Sequence, residues 1–564
     1  MMRYKQYFLP AVALLLLGAV LGVQLDSMTS DEDTYTQLRK LEKAFVIINR
    51  KYVEPVKSSA VAEQGIAGML DELDPHSSYI SAKQVQDVQE QYQGSFGGIG
   101  IWFEVVEDTA RVISPITDGP SEQVGVMPGD RIVAIEDSNA AGPDLSSKDI
   151  QNRLKGPIGT EVQMTVLRPG VNKRISFTIT RDEIPLYSID SSYMLDDQTG
   201  YIKINRFAMN THKEFMDSLS VLKDRGMNRL VLDLRSNPGG VMKAAIDIAD
   251  EFLDNGMSIV KTKGRDANMN NNFRASGGDA FEEKPLIVLV NRNSASASEI
   301  VSGALQDHDR ALIVGRRTFG KALIQKQFEL NDGSMLQMTV GRYYTPVGRL
   351  IQTPYKNGDL ESYYEQKFDD FDEATLHTAE YKESVPDSLK YTTTHGRVVF
   401  GGGGILPDFV IKPDTAGLMN ALVGNGIDRL FIQEWFQTHE QELRDTWTGR
   451  QQAFIDGYTV ESNMLDAFWT FANDKGVSLT ADKDSVSRKD GVFAQSEAET
   501  EATRLKTYLK ARLAGKLYGG RAAVPIINKT DKELNKALSL WDRANELAAY
   551  HGAKTTSTSD AGDK

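Results

Sequence analysis

The chain has 564 residues, seven histidines, no cysteine and a formal net charge of −14 at pH 7. That length allows several hydrophobic cores, so three or four domains are expected. The acidic balance argues against nucleic acid as a partner, because phosphate binding needs a basic surface. The missing cysteine removes thiol nucleophiles, disulfides and Cys-ligated zinc together. The histidines are scattered, and His439-Glu440 lacks a zincin's second histidine, so neither a metal nor a cofactor is expected.

Residues 1–27 open with Arg3 and Lys5 and then run from Tyr7 to Leu25 almost without charge, a basic n-region before an apolar h-region. This predicts export to an extracytoplasmic, periplasmic location. Residues 7–25 are about long enough to span a bilayer, and 18–24 (GAVLGVQ) offer no clean A-x-A site. Cleavage of the segment and its retention as an inner-membrane anchor therefore both stay open. Residues 28–95 read as a helical segment, with Leu38, Leu41, Phe45, Ile48 and Tyr52 at spacings of three and four. Asp74-Pro75-His76-Ser77-Ser78-Tyr79 breaks that pattern at a turn, and His76 is assigned to structure.

From 96 to 184 the texture changes to short strands and glycine turns. Phe96-Gly97-Gly98-Ile99-Gly100-Ile101 precedes an extended run, and Val126-Met127-Pro128-Gly129-Asp130-Arg131-Ile132 joins a turn to a strand. Glycines at 97, 98 and 100 let a second backbone come close. Together these stretches resemble a PDZ domain of the processing-protease type. That resemblance implies a peptide added as a strand, its terminal carboxylate held by loop N–H groups, with Phe96 to Ile101 as the candidate binding residues. Glu136-Asp137-Ser138-Asn139 departs from the common glycine turn, and Asn139 is the residue expected to take φ > 0. Arg168, in Val166-Leu167-Arg168-Pro169-Gly170, is read either as a solvated strand-end arginine or as a relay toward the catalytic site.

Residues 185–412 form the expected core. Tyr201–Ile204 alternates like a strand, and the strand 229–235 ends at Ser236-Asn237-Pro238-Gly239-Gly240, before a helix with Val241, Ala245, Ile248, Ala249 and Phe252 on one face. Leu286 to Val290 is continuously apolar, as in a strand covered on both faces. Ser294-Ala295-Ser296-Ala297-Ser298-Glu299 follows, then a helix with Ile300, Val301, Ala304 and Leu305 at helical spacing. A serine at a helix N-terminus has free N–H groups and the positive dipole end beside it, which suits an oxyanion. Ser296 with Glu299 is equally a capping-box pattern. Thr318-Phe319-Gly320-Lys321 and Gln325 come next, then strands. The acidic stretch 355–387 reads as a surface insertion. Gly401-Gly402-Gly403-Gly404 is no phosphate loop, because no GK[ST] follows.

The set DLR-x-NPGG, VLVN-x-x-SASASEI, GALQD, TFGK-x-x-x-Q and GGGGI-x-PD resembles the C-terminal processing peptidases (tail-specific proteases, peptidase family S41), serine peptidases with an inserted PDZ domain. The resemblance implies Ser296 as nucleophile and Lys321, 321 − 296 = 25 residues later, as its base. It implies Gln325 as the residue that orients the lysine, and an oxyanion hole from the Ala297 amide with that of Gly239 or Gly240. Asp307 matches an acidic residue of the family, its role left open. A lysine base must be neutral, whereas a free lysine titrates near ~10.4, so poising it near pH 7 takes roughly 4 kcal/mol. Burial can supply that, with Phe319, Leu323 and Ile324 as candidate walls.

The expected architecture is multidomain α/β: a serine-peptidase core, a small β-rich PDZ domain inserted before it, and helical N- and C-terminal segments. Residues 413–554 are helical, with tryptophans at 435, 447, 469 and 541, and offer surfaces for a homo-oligomer or for substrate capture. Residues 555–564 form a polar, disordered tail. The expected function is cleavage of protein or peptide substrates recognised by their C-termini or as unfolded segments. The rival reading is a catalytically silent PDZ scaffold, with a small-substrate esterase ranked last.

Overall fold

The computed structural model describes residues 33–106, 108–116, 118–143, 145–277, 281–356, 358–368, 383–412 and 417–549. The expected leader, 1–27, and tail, 555–564, lie outside the described residues. Two compact units result: residues up to Val85 with Lys326–Thr339 and Tyr355–Glu361, and Gln86–Gln325 with Val340–Pro354 and Ser362 onward.

In the first unit, helices 33–51 and Ser58–Asp71 lead into a turn built by Asp74. Its carboxylate accepts the His76 and Ser77 N–H groups at 2.9 and 3.0 Å and the Ser77 hydroxyl at 2.6 Å. Strand Ser78–Ile80 then pairs antiparallel with residues 335–337. The apolar stripe expected on the first helix is present, but Leu38, Leu41, Ile48 and Tyr52 are exposed.

The second unit contains the central sheet, whose strands are adjacent in chain order: β1 (Ile189–Met194), β2 (Thr199–Ile204), β3 (Arg229–Asp233), β4 (Leu286–Val290), β5 (Leu312–Gly315) and β6 (Phe409–Val410). β1 and β2 pair antiparallel, and the other neighbours pair in parallel. Helices α1 (Thr211–Asp224), α2 (Met242–Asp250) and α3 (Ala297–Asp307) connect β2 to β3, β3 to β4 and β4 to β5. Alternate residues of a strand point to opposite faces. Leu286, Val288 and Val290 thus share a core with Leu230, Leu232, Phe215, Ile248 and Val301. Ile287 and Leu289 join Tyr201, Val231 and Val314 against Leu534, Ala537 and Trp541 from the end of the chain. With both faces covered, β4 must be apolar throughout, and each buried side chain contributes about 2 kcal/mol.

The PDZ-like region is an antiparallel sheet in the order Ile101–Val106, Thr109–Pro115, Arg131–Ile135, Glu161–Leu167, Arg174–Thr180, with helix Ser147–Leu154 burying Ile150 and Leu154 in its core. Strand Ser95–Gly98 pairs with Asp182–Pro185, closing the base of the region. Among the described residues Ile101–Val106 pairs on one side only and forms an edge. The φ > 0 residue of its β-turn is Glu136 (φ 50°), not Asn139, which sits in the short strand Ser138–Asn139.

The C-terminal helices Ile427–Trp447, Ser462–Asp474 and Gln495–Tyr518 have their own core around Phe431, Phe436, Phe454, Phe468 and Leu509. Trp435, Trp447 and Trp469 flank it, whereas Trp541 belongs to the central sheet. Two charge networks tie this region to the rest of its unit. Lys516 pairs with Glu104 on the PDZ edge strand, and Arg111 bridges Glu104 at 2.6 Å to Glu440 at 2.5 Å. Arg235, just after β3, pairs with Asp531 at 2.8 Å and Glu533 at 2.9 Å. No helix among the described residues is long and apolar enough to cross a membrane.

Candidate active site

β4 ends at Val290, and six residues later the chain enters α3 through Ser296, which has φ 54° and ψ −111°. A non-glycine backbone in such a region costs on the order of 1–3 kcal/mol and persists only where its surroundings over-determine it. Here they do. The Ser294 hydroxyl donates to the Leu234 carbonyl at 2.8 Å and accepts the Asn291 N–H at 2.9 Å. The Ala295 N–H and the Ser298 hydroxyl both donate to the Asn237 carbonyl at 3.0 Å. The Ser296 N–H donates to Glu299 Oε2 at 2.8 Å, so the carboxylate half of the expected capping box is formed.

Glu299 does more than cap. It is fully buried, and its Oε1 accepts the Thr318 hydroxyl at 2.5 Å and the Gly320 N–H at 2.7 Å. Its Oε2 accepts the N–H groups of both Ser296 and Lys321, the latter at 2.9 Å. Burial pushes this carboxyl up, and the hydrogen bonds from Thr318, Lys321, Gly320 and Ser296 offset part of that. All four of these partners donate to the carboxylate oxygens. The residue read as a cap is therefore the joint between the serine and lysine segments.

The Lys321 ammonium nitrogen donates to Gln325 Oε1 at 2.9 Å. The pair is four apart next to and within an extended strand, Leu323–Glu329, rather than on a helix. Alternate strand residues share a face, and the long lysine side chain reaches along the segment to the glutamine. Phe319 meets Tyr363 edge-on, with ring centroids 6.5 Å apart and planes at 72°. Tyr363 is 1% exposed. The stretch expected to be a surface insertion thus supplies a buried wall two residues from the lysine, because a single aromatic can anchor an otherwise polar segment. The glycine run 401–404 packs on the same segment. Gly402, Gly403 and Gly404 donate to the Leu350 and Ile351 carbonyls at 2.7–3.1 Å, and a Cβ on Gly404 would lie 2.4 Å from the Thr318 carbonyl oxygen.

Asn237 is a second hub that sequence reasoning missed. Its Nδ2 donates to the Ile204 carbonyl at 3.0 Å, and its Oδ1 accepts the Gly239 N–H at 2.9 Å. A Cβ on Gly239 (φ 98°) would lie 2.8 Å from Ser296 Cβ and 2.9 Å from the Ala297 nitrogen, so this glycine lets the loop touch the serine turn. Spacing alone left Gly239 and Gly240 equivalent, but the Gly239 amide is spent on Asn237. Among the described residues the Gly240 and Ala297 N–H groups donate to no acceptor. Asp307, at the far end of α3, is buried, pairs with Arg349 and accepts the Val347 N–H at 3.0 Å, a packing clamp. Below the glycines, Asp233 is fully buried. Burial pushes its carboxyl up, but the charges of Arg235 and Lys203 and hydrogen bonds from Arg235 and Tyr201 bring it down to about 2.

In the PDZ-like region Phe96, Gly97 and Gly98 lie in the strand paired with Asp182–Pro185, under Lys155, whose Nζ sits 4.5 Å from the Phe96 ring centre. Ile99 is buried in the core, and Gly100 has φ 69°. The Ile99 and Gly100 carbonyls accept from the Ser121 and Ile116 N–H groups at 3.1 and 2.9 Å. Among the described residues the Ile99 and Gly100 N–H groups donate to no acceptor, and Ile101 opens the edge strand. Arg168 lies just past strand Glu161–Leu167 and is partly exposed, with its guanidinium turned onto a carboxylate. Its Nε and Nη2 donate to the two oxygens of buried Asp130 at 2.8 Å, and Nη2 also donates to the Gly125 carbonyl at 2.8 Å.

An α/β core that presents a serine at a helix N-terminus, joined to a lysine segment, beside an antiparallel domain with an open edge defines a PDZ-bearing hydrolase. The chain matches Peptidase family S41 over residues 198–361 and a PDZ domain over 97–179. It also matches an activating protease CtpB N-terminal domain over 20–84 and a family of unknown function (DUF8443) over 418–519. A carboxy-terminal-processing protease of Bartonella bacilliformis is 39% identical over 350 residues, 60% of this chain and 79% of that protein. A carboxyl-terminal-processing protease of Synechocystis is 37% identical over 309 residues, 53% of this chain and 71% of that protein. Among solved structures, a photosystem II D1 C-terminal processing protease is 30% identical with a TM-score of 0.32, covering 55% of this chain and 82% of its own. The chain belongs to peptidase family S41, among the carboxyl-terminal-processing serine proteases.

Proposed function

We propose that the protein is an exported endopeptidase in which Ser296 attacks the peptide carbonyl and neutral Lys321 accepts its proton. The observation that carries this reading is the shared Glu299 carboxylate, which holds the main chain of Ser296 and Lys321 on one side chain. Gln325 orients the lysine nitrogen without adding a negative charge that would favour the protonated amine. The oxyanion of the tetrahedral intermediate is received by the Ala297 and Gly240 amides, worth on the order of 3 kcal/mol per donor. Collapse expels the amine with the proton held by Lys321, leaving an acyl-serine that water hydrolyses by the reverse sequence.

Substrate arrives through the PDZ domain. A C-terminal carboxylate is taken by the Ile99 and Gly100 N–H groups, and the chain behind it adds as a strand to Ile101–Val106. The charge pattern of residues 1–27 supports export to the periplasm. The test is reaction with a fluorophosphonate followed by peptide mapping: the adduct is expected on Ser296 and strongly slowed in Lys321→Ala. An adduct on another serine would refute the assignment. Fractionation of cells producing the full chain tests export.

A further inference from the structure

Glu299 grips the two catalytic residues by their N–H groups, and one side chain grips them by their carbonyls. Tyr343 lies in strand Met335–Tyr344 and is buried. Its hydroxyl donates to the Lys321 carbonyl at 2.5 Å and reaches the Ser296 carbonyl at 3.1 Å, a three-centre bond from a single proton. Its own N–H donates to the Ala322 carbonyl at 3.0 Å, which fixes the tyrosine against the lysine segment. Burial, with the Glu299 charge adding to it, pushes the hydroxyl well above its ordinary value, so it remains a donor.

We infer that Tyr343 is a positioning residue of the peptidase reaction, its hydroxyl closing with Glu299 a main-chain clamp that holds Ser296 and Lys321 in register. The inference rests on the Ser296/Lys321 reading above. The physical need for such a clamp is plain. The two residues lie on separate segments, one before α3 and one before strand Leu323–Glu329. Lysine is long and flexible, and Ser296 sits in a backbone region that it would leave if its neighbours allowed. A reacting pair displaced by about 1 Å loses on the order of 100-fold in rate, whereas substrate binding at a remote domain is untouched. A hydroxyl between the two carbonyls fixes their separation without entering the reaction.

The experiment is Tyr343→Phe, which removes the oxygen and keeps the packed ring, assayed on a peptide substrate beside wild type and Ser296→Ala. Tyr518→Phe serves as control, because its hydroxyl donates to the Trp447 carbonyl at 2.7 Å in the C-terminal helices, remote from the serine. With Ser296→Ala inactive, the clamp predicts that Tyr343→Phe lowers kcat about 10- to 100-fold while KM stays within about two-fold. Tyr518→Phe should leave both constants unchanged. The rate constant of Ser296 with a fluorophosphonate should fall in parallel, and a rate constant answers even where only part of the sample is folded. Unchanged kcat and labelling rate in Tyr343→Phe, with Ser296→Ala dead, overturn the inference and leave the Ser/Lys reading standing. Activity surviving in Ser296→Ala overturns both.

Discussion

The central sheet and the PDZ sheet treat their surfaces in opposite ways. The central one is mostly parallel and covered on both faces, so β4 is apolar at every position. The PDZ sheet is antiparallel, and strand Glu161–Leu167 alternates between buried and exposed residues. The first puts its tension at a strand end: Ser296 holds an unfavourable backbone because Asn237, Glu299 and Ser294 leave it no alternative. Among the described residues the second leaves an edge strand and two loop amides without a backbone partner. Rigidity is concentrated where bonds would be broken, and open valence where a chain would be met. Chemistry and recognition have different structural requirements, and under the proposed function this chain would meet them on different sheets.

That contrast can be broken from either side. The largest effect is expected from Glu299→Gln, which points an amide NH₂ at buried N–H donors. A loss of at least about 100-fold in kcat, with about 1–3 kcal/mol of stability, should appear in kinetics and melting while PDZ peptide affinity is kept. Acid should act next. Asp233 is depressed from 3.8 to about 2 in the folded state, so its contribution is present above pH 4 and lost as pH falls from there through about 2. The size is about 2 kcal/mol, and urea titrations of wild type and Asp233→Asn across that window should converge at the acid end.

On the PDZ side, Gly100→Ala forces an alanine to φ 69° with its Cβ 3.1 Å from Ile184 Cδ1. A cost of about 1 kcal/mol, read as lost stability in thermal melting, should leave labelling of Ser296 unchanged. The smallest effect belongs to Lys516→Glu, which sets a like charge against Glu104 at the C-terminal tie. Burial raises the Glu104 carboxyl, yet its hydrogen bonds to Arg111 and Lys516 hold it below its ordinary value. Reversal should cost under about 1 kcal/mol in melting and shrink with added salt.

What the sequence made legible was what is local. The apolar run of β4, the helical stripe of α3, the turn glycines and the family motifs each carry their evidence within a few residues. They were enough for the α/β core, the PDZ domain and the pairing of Lys321 with Gln325. The joints were not legible, because each depends on partners far along the chain. Glu299 reads as a cap until Gly320 and Lys321 fold onto it from 21 and 22 residues away. Asn237 reads as part of a glycine turn until its Nδ2 donates to the Ile204 carbonyl, 33 residues earlier, which turns its Oδ1 to the Gly239 amide and so separates the two glycines. Tyr363 is hidden in a stretch whose composition is that of a surface loop. The Arg168–Asp130 pair was not legible either, because Asp130 lies 38 residues earlier, just before a neighbouring strand, where periodicity carries no information about pairing.

The central claim is tested most directly by digesting an unstructured protein with an apolar C-terminus, and reading the fragments of wild type, Ser296→Ala and Lys321→Ala by mass spectrometry. The account predicts cleavage by wild type alone, with all three proteins binding the substrate's C-terminal peptide equally. Cleavage by either variant at the wild-type rate would contradict it. So would binding without cleavage by all three, even with C-terminal peptide added as activator, for that is the behaviour of a scaffold.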